Sequence, residues 1–258
     1  MLDELIAGAV ADASDRRAAR SLEQVEADAL AQPPALDAMT ALAPGARVKI
    51  IAEVKRSSPS RGALASIVDP AALAVSYQAG GASAISVLTE GRRFGGSLDD
   101  LEQVHAAVEI PVLRKDFIAE AYQVFEARAA GADLVLLIVA ALDQPKLQFL
   151  HGLISELGMT ALVETHSAEE VERALDLGAS VVGVNARDLS TFELDRDLFG
   201  TLADRIPSGV IRIAESAVLE PADVTHYRAA GADVVLIGEA LVTGEDPIAT
   251  LREFLAAG

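Results

Sequence analysis

The stretch AGADLVLLIV at residues 130–139 has the plan of a helix end followed by a buried strand. Gly131 stands where a left-handed residue closes a helix, and the apolar run after it has the length of a strand. Three other stretches share this plan, namely AGGASAISVL (79–88), LGASVVGV (177–184) and AGADVVLIG (230–238). The chain therefore repeats a helix-to-strand junction four times, with Gly80, Gly131, Gly178 and Gly231 as the predicted C-terminal caps.

The glycines recur about every 50 residues, roughly twice the length of one strand-plus-helix unit of an α/β barrel. Each interval therefore has room for a second strand. Apolar runs bounded by turn residues supply four more strands, RVKIIAEVK (47–55), IPVLRKDF (110–117), MTALVET (159–165) and GVIRIAES (209–216). The pattern predicts eight strands that alternate with helices.

Amphipathic segments such as SLDDLEQVHAAV, EAYQVFEARAAG and SAEEVERALDLG lie between the strands and have helical spacing. Helix starts are predicted at Asp69-Pro70, Glu220-Pro221 and Asp246-Pro247, because an N-cap residue followed by proline suits a first helical turn.

Two architectures use this alternation, the open doubly wound sheet and the closed (β/α)8 barrel. No Gly-x-Gly-x-x-Gly follows the first strand, so the dinucleotide-binding version of the open sheet has no support. Eight units with a fourfold repeat favour the TIM barrel. We expect a single domain over residues 1–258, in which residues 1–46 form a helical N-terminal extension. Within it we predict a helix from Leu22 to Leu30 and packing over one barrel end.

Composition narrows the class of protein. The 258 residues include no cysteine, so neither a disulfide framework nor a thiolate metal site is expected. A formal net charge of −18 disfavours binding to nucleic acid and to anionic membranes. The acidic N-terminus does not resemble a secretory signal, and the longest apolar run, 134–142, is too short to span a bilayer. We therefore expect a cytoplasmic protein.

Ionisable and polar side chains occupy the predicted carboxyl ends of the strands, where barrel enzymes have their active sites. They are Glu53, Lys55, Lys115, Glu164, Asn185, Arg187, Glu215, Ser216, Gly238 and Glu239. Alternation directs Lys55, Lys115 and Glu164 into the barrel, whereas the fourth strand contributes only an apolar wall. Only four of the 21 cations are lysines, and a lysine, unlike an arginine, can release its proton when buried.

Each of these residues has a purely structural alternative. Glu53 and Lys55 could be an ion pair that closes the barrel, Lys115 a surface charge, and Glu164 a cap for the helix near Ser167. In the same way Asn185 could bond only loop backbone, and Gly238 could be a turn residue. The convergence of ionisable groups from five strands on one barrel end favours the interpretation that these residues form an active site. We interpret His105, His151, His166 and His226 as surface or helix-face residues without metal-ligand spacing.

Six motifs in this order resemble the indole-3-glycerol phosphate synthase family, in its single-function form. They are EVKRSSPS (53–60), LRKDFI (113–118), ALVETH (161–166), VGVNARDL (182–189), RIAES (212–216) and LIGEALV (236–242). The resemblance implies closure of 1-(2-carboxyphenylamino)-1-deoxyribulose 5-phosphate to indole-3-glycerol phosphate, with loss of CO₂ and water. It implies no metal and no organic cofactor, because the enamine of the substrate is the nucleophile.

The resemblance also implies roles for individual residues. Lys115 is the general acid of ring closure, Glu164 the acid–base partner in dehydration, and Lys55 with Glu53 contacts the substrate and can donate in that later step. The implied substrate-binding residues are Ser58, Phe117, Leu136, Asn185, Arg187 and Glu215. The implied phosphate-binding residues are Ser216, Ala217, Gly238 and Glu239. We expect a phosphorylated small molecule as the only partner, with a monomer slightly favoured.

One departure from the family pattern is Ala217, where glycine is usual. If this position requires a positive φ, we expect mildly weakened phosphate binding. Two other functions are compatible with the same residues. One is a lyase that forms a Schiff base through Lys55 or Lys115, and the other is a barrel that binds a phosphometabolite without turning it over.

Overall fold

The computed structural model describes residues 1–188, 191, 193–244 and 246–258. Leu189, the last residue of the predicted VGVNARDL motif, lies outside this set. Eight parallel strands form a closed barrel in which each strand pairs with its neighbours in sequence and the first pairs with the last. The predicted (β/α)8 barrel with an N-terminal helical extension is confirmed.

The strands are slightly shorter than most of the apolar stretches that predicted them, because turn residues flank each stretch. They are β1 (Lys49–Val54), β2 (Ala84–Leu88), β3 (Val112–Lys115), β4 (Leu134–Ile138), β5 (Thr160–Thr165), β6 (Val181–Asn185), β7 (Ile211–Glu215) and β8 (Val234–Ile237). A short antiparallel ribbon, Ser57–Ser58 with Gly62–Ala63, follows β1.

The α-helices include those predicted between the strands and others in the extension and near the carboxyl terminus. They are α1 (Leu2–Ala19), α2 (Leu22–Ala31), α3 (Ala38–Ala41), α4 (Pro70–Gly80), α5 (Leu98–Ala107), α6 (Ala121–Ala129), α7 (Gln144–Glu156), α8 (Ala168–Asp176), α9 (Leu198–Ala203), α10 (Pro221–Ala229), α11 (Glu239–Val242) and α12 (Pro247–Ala257). No helix within the described residues is long and apolar enough to cross a membrane.

Helix ends follow the predicted chemistry with one exception. Asp69 and Asp246 accept hydrogen bonds from first-turn backbone N–H groups, and proline begins each of these helices. Gly131, Gly178 and Gly231 have positive φ, as predicted for left-handed caps. The prediction for Gly80 is wrong.

The cap of α4 is Gly81, with φ +106°, and Gly80 is the last helical residue. Two adjacent glycines made either position acceptable for the cap. Packing requires glycine at both positions, because a Cβ on Gly80 would lie 2.9 Å from Leu251 Cδ2 and one on Gly81 would lie 2.8 Å from Leu255 Cδ1.

The core has two shells separated by the barrel wall. Alternate residues of β4 show the division, since Leu134, Leu136 and Ile138 fill the interior while Val135 and Leu137 pack beneath the helices. Burial on both faces explains the nearly continuous apolar strands of the sequence. The polar residues at the carboxyl ends of the strands therefore project above an apolar floor.

The N-terminal extension contacts both barrel ends, not one as predicted. The backbone N–H of Leu36 donates to Asp133, which directly precedes β4, and buried Leu42 joins the interior cluster, so this segment closes the amino end. At the carboxyl end, Asp12 of α1 pairs with Arg92, which follows β2. The sequence predicted α2 and missed α1, whose apolar residues form no clear stripe.

The repeated left-handed caps lead to a stability prediction. Gly178→Ala should lower the free energy of unfolding by about 1–2 kcal/mol, because its φ is +75° and nothing crowds the added methyl group. Gly131→Ala should lower the free energy of unfolding further, because the same backbone strain is combined with a steric clash. A Cβ at this position would lie 2.2 Å from His105 Cδ2. Denaturant unfolding measures both changes.

The control is Gly152→Ala inside α7, which has open space and no positive φ and should be neutral or stabilising by up to about 1 kcal/mol. Equal losses for Gly131→Ala and Gly178→Ala would contradict the steric account.

Candidate active site

A cavity of about 380 Å³ opens at the carboxyl ends of the strands. All of the site residues predicted from the sequence line it, namely Glu53, Lys55, Ser58, Lys115, Phe117, Leu136, Glu164, Asn185, Arg187, Glu215, Ser216, Ala217, Gly238 and Glu239. The barrel topology thus brings together residues that are up to 186 positions apart, from Glu53 to Glu239.

Lys115 is the central charge of the cavity. Its Nζ lies 3.3 Å from Glu164 Oε2 and 3.5 Å from Glu215 Oε2. The Lys115 side chain is 16% exposed and the two carboxylates are 1% exposed, so the surface-charge alternative for Lys115 is wrong. Nor does Glu164 cap α8, because the Ser167 hydroxyl accepts from Glu170 N at that helix start.

Burial and charge act in opposite directions on these three groups. Burial lowers the pKa of Lys115, but the carboxylates of Glu164, Glu215 and Glu53 outweigh it, and the net pKa is raised. Burial raises the pKa of Glu164, but Lys115, His166 and hydrogen bonding give a net lowering. Burial and the neighbouring Glu164 charge together raise the pKa of Glu215 well above its usual value, although Lys115 opposes them. The cluster therefore combines a lysine with a raised pKa and two glutamates whose pKa values are shifted in opposite directions.

Glu53 and Lys55 form a second charged pair beside the first. Lys55 Nζ lies 2.7 Å from Glu53 Oε2, and the Glu53 side chain is almost fully buried. Gly238 makes room for this pair, since a Cβ there would lie 2.3 Å from Glu53 Oε2 and 2.9 Å from Lys55 Nζ. The pair lines the cavity instead of merely closing the barrel.

Polar groups surround the opposite side of the cavity, above β6, β7 and β8. Asn185 Oδ1 accepts from Ser216 Oγ at 2.8 Å and from the backbone N–H of Arg187 at 3.0 Å. Arg61, from the ribbon after β1, pairs with Glu239 at 2.9 Å. Burial lowers the pKa of Arg187, which still keeps its charge near neutrality. This half of the cavity combines cations, a hydroxyl and backbone donors, the groups that bind an anion.

Apolar residues cover the remaining wall. Leu136 and Ile138 come from β4, as the sequence predicted, and Phe117 follows β3. Sequence reasoning missed Leu5 of α1 and Phe94, which also line the cavity, with the Phe94 and Phe117 rings 6.2 Å apart. No local pattern marks Leu5, because only the fold brings α1 across the barrel mouth.

His166 is a further residue whose position the sequence analysis misjudged. It was interpreted as a surface or helix-face residue, but its side chain is 13% exposed and its Nε2 lies 3.4 Å from Glu164 Oε1. The signal in the sequence was its spacing, because His166 follows Glu164 by two positions, directly after β5. Among the described residues, no group of three or more His, Cys, Asp or Glu side chains could hold a metal ion.

The loop after β7 contains two consecutive non-glycine residues with positive φ, Ser216 at 69° and Ala217 at 56°. Ala217 therefore occupies the positive-φ region in which glycine is favoured. The weakened phosphate binding expected from this alanine stays a prediction. An alanine in this region carries about 1–2 kcal/mol of strain.

Ala217→Gly should therefore raise the free energy of unfolding by roughly 0.5–1 kcal/mol, after the added unfolded-state entropy of glycine is subtracted. Denaturant unfolding checks this value. Ala230→Gly is the matched control, because Ala230 has an ordinary φ of −78° and the same change there should destabilise. A loss of stability in both variants would contradict the strain at Ala217.

Comparison with known proteins agrees with this geometry. The family model described as indole-3-glycerol phosphate synthase matches residues 2–254. The chain is 71% identical over 254 residues to the indole-3-glycerol phosphate synthase of Leifsonia xyli subsp. xyli, covering 98% of this chain and 97% of that protein. It is 59% identical to the protein of the same name from Mycolicibacterium smegmatis, covering 100% of this chain and 94% of the relative.

Among solved structures, a thiamine phosphate pyrophosphorylase from Pyrococcus furiosus superposes with a TM-score of 0.61 at 13% identity, covering 81% of this chain and 94% of that one. This likeness shows the fold alone. The family match and the close relatives show more, and the chain belongs to the indole-3-glycerol phosphate synthase family.

Proposed function

We propose that the cavity catalyses indole-3-glycerol phosphate synthesis by general acid–base catalysis, with Lys115 as the acid of ring closure. The family reaction is a carboxy-lyase step of tryptophan biosynthesis, in which 1-(2-carboxyphenylamino)-1-deoxyribulose 5-phosphate closes its ring and loses CO₂ and water. The observation that carries the assignment of Lys115 is its buried ammonium between Glu164 and Glu215.

Ring closure needs a proton at the ribulose carbonyl while the aromatic ring carbon attacks that carbon. Lys115 is protonated near neutrality because the adjacent carboxylates outweigh its burial. Its position above the apolar floor allows it to donate to a carbonyl oxygen bound in the cavity. A correctly placed general acid contributes about 10²–10⁴ in rate.

The later steps need a base and a second proton donor. Loss of CO₂ restores electrons to the ring, and loss of water then requires a proton donor at the hydroxyl and a base for the departing proton. Glu164 is ionised beside Lys115 and supplies the base. Lys55, held by Glu53, is the second ammonium at the mouth and supplies a donor.

The apolar wall and the polar side of the cavity indicate how the substrate is oriented. The apolar wall with Phe117 and Leu136 suits the anthranilate ring, and Ser58 lies near the mouth for its carboxylate. Asn185, Arg187 and Glu215 line the cavity and are assigned to orienting the substrate. We assign the phosphate to Ser216, Ala217, Gly238 and Glu239, where Arg61 pairs with Glu239 and offsets its charge.

Other expectations from the sequence stay predictions. The expected location is the cytoplasm, because a phosphorylated substrate carries charge that does not cross a bilayer unaided. A monomer, a single domain and the absence of a nucleic-acid, membrane or cofactor requirement are likewise predicted. The Schiff-base alternative predicts a covalent substrate adduct that borohydride traps at Lys55 or Lys115, whereas the proposed mechanism predicts none.

Lys115→Met should lower kcat by about 10²–10⁴, because the variant keeps the side-chain length but loses the proton donor. The measurement is formation of indole-3-glycerol phosphate, followed by its absorbance. Lys146→Ala, on the exposed side of α7, is the control and should retain wild-type kcat. Circular dichroism verifies that both variants are folded.

Activity of folded Lys115→Met within tenfold of the wild type would exclude Lys115 as the acid. A trapped adduct would favour the Schiff-base lyase. Absence of product with the wild-type protein would favour a barrel that only binds its ligand.

A further inference from the structure

Glu164 lies between two nitrogen atoms from different parts of the fold. Its Oε2 faces Lys115 Nζ at 3.3 Å, and its Oε1 faces His166 Nε2 at 3.4 Å. Lys115 lines the cavity, whereas His166 lies behind Glu164 and does not. One oxygen of the carboxylate is thus directed at the reaction space and the other at the histidine.

The orientation of His166 is fixed from α8. Its Nδ1 lies 3.2 Å from Glu170 Oε2, and its backbone N–H donates to the same oxygen at 2.8 Å. Glu170 is itself placed by the start of α8, where its backbone N–H donates to Ser167 Oγ. Buried Nε2 has no hydrogen-bond partner among the described residues, and its ion-pair contact is Glu164 Oε1 at 3.4 Å.

We propose that His166, held by Glu170, is a positioning residue that keeps Glu164 ionised and oriented toward Lys115. The inference rests on the proposed role of Glu164 as the base. His166 does not touch the substrate-binding cavity, and it acts through Glu164 alone.

The charges around both groups agree with this role. Burial lowers the pKa of His166, but the Glu170 hydrogen bond and the charges of Glu164, Glu170 and Asp188 give a net increase. Around Glu164, Lys115 and His166 favour the ionised form, Asn185 donates a hydrogen bond, and Glu215 is the neighbouring acid. A protonated imidazole bridging Glu164 and Glu170 therefore stabilises both carboxylates.

The direct test follows the titration of His166 by NMR, with its signal assigned by its loss in His166→Gln. In the wild type the imidazole should titrate above the ordinary value of about 6.5. Glu164→Gln should lower this pKa by about one unit, because removing a facing carboxylate removes a charge that favours the imidazolium. Linkage requires that the effect be mutual, so the same experiment measures how strongly His166 favours the Glu164 anion.

Kinetics supply the second readout. His166→Gln keeps an N–H donor but loses the charge, so the acidic limb of the kcat profile should move up by about one pH unit, with KM changed less than twofold. Glu170→Gln, which retains an acceptor for the His166 backbone, should move the limb in the same direction by a smaller amount. His166→Leu should also lower kcat about tenfold, and the glutamine variant should recover most of that loss.

His151→Gln is the matched control, because His151 lies on α7 away from the cavity and should leave the profile unchanged. An identical His166 pKa in wild type and Glu164→Gln, or an unshifted acidic limb in folded His166→Gln, would overturn the inference. High activity of Glu164→Gln would instead contradict the role of Glu164 as the base. In that case the His166 titration would still show whether His166 interacts with Glu164.

Discussion

The Lys115 ammonium, enclosed by buried carboxylates, is the interaction on which the rest of the site depends. Burying these charges separately would be costly, and removing one partner of such a pair typically costs about 3–5 kcal/mol. Lys115 contacts both Glu164 and Glu215 and lowers the pKa of each, but burial and the Glu164 charge outweigh it at Glu215, whose net pKa is raised. Two carboxyl groups of the same type therefore acquire different proton affinities from their surroundings.

The barrel fold brings the charged residues of this cluster together and surrounds them with apolar side chains. Lys115 and Glu215 end β3 and β7, and Glu164 is the penultimate residue of β5, so these side chains meet although they lie far apart in sequence. β4 contributes an apolar wall that keeps the local dielectric low, and α1 brings Leu5 to the mouth. The extension also closes the opposite barrel end through Leu36 and Leu42.

Sequence reasoning reached the barrel because glycine caps and apolar runs recur with one period, and it reached Lys55, Lys115 and Glu164 because strand alternation is local. Two adjacent glycines left the cap of α4 ambiguous in the sequence, and His166 acquires its role through contact with Glu164 and Glu170. The coverage of both barrel ends likewise depends on tertiary contacts. The last two depend on contacts between elements, which no pattern within one element encodes.

The most direct test of the account is a ¹³C NMR titration of the glutamate carboxyl groups in the free enzyme, with signals assigned by Glu164→Gln and Glu215→Gln. Because the two acids are coupled, the apparent pKa values belong to the pair, but their order is measurable. The account predicts that Glu215 takes up its proton at a higher pH than Glu164. A Glu164 signal that titrates at or above the pH of Glu215 would contradict the claim that Lys115 and His166 together hold Glu164 as the ionised partner.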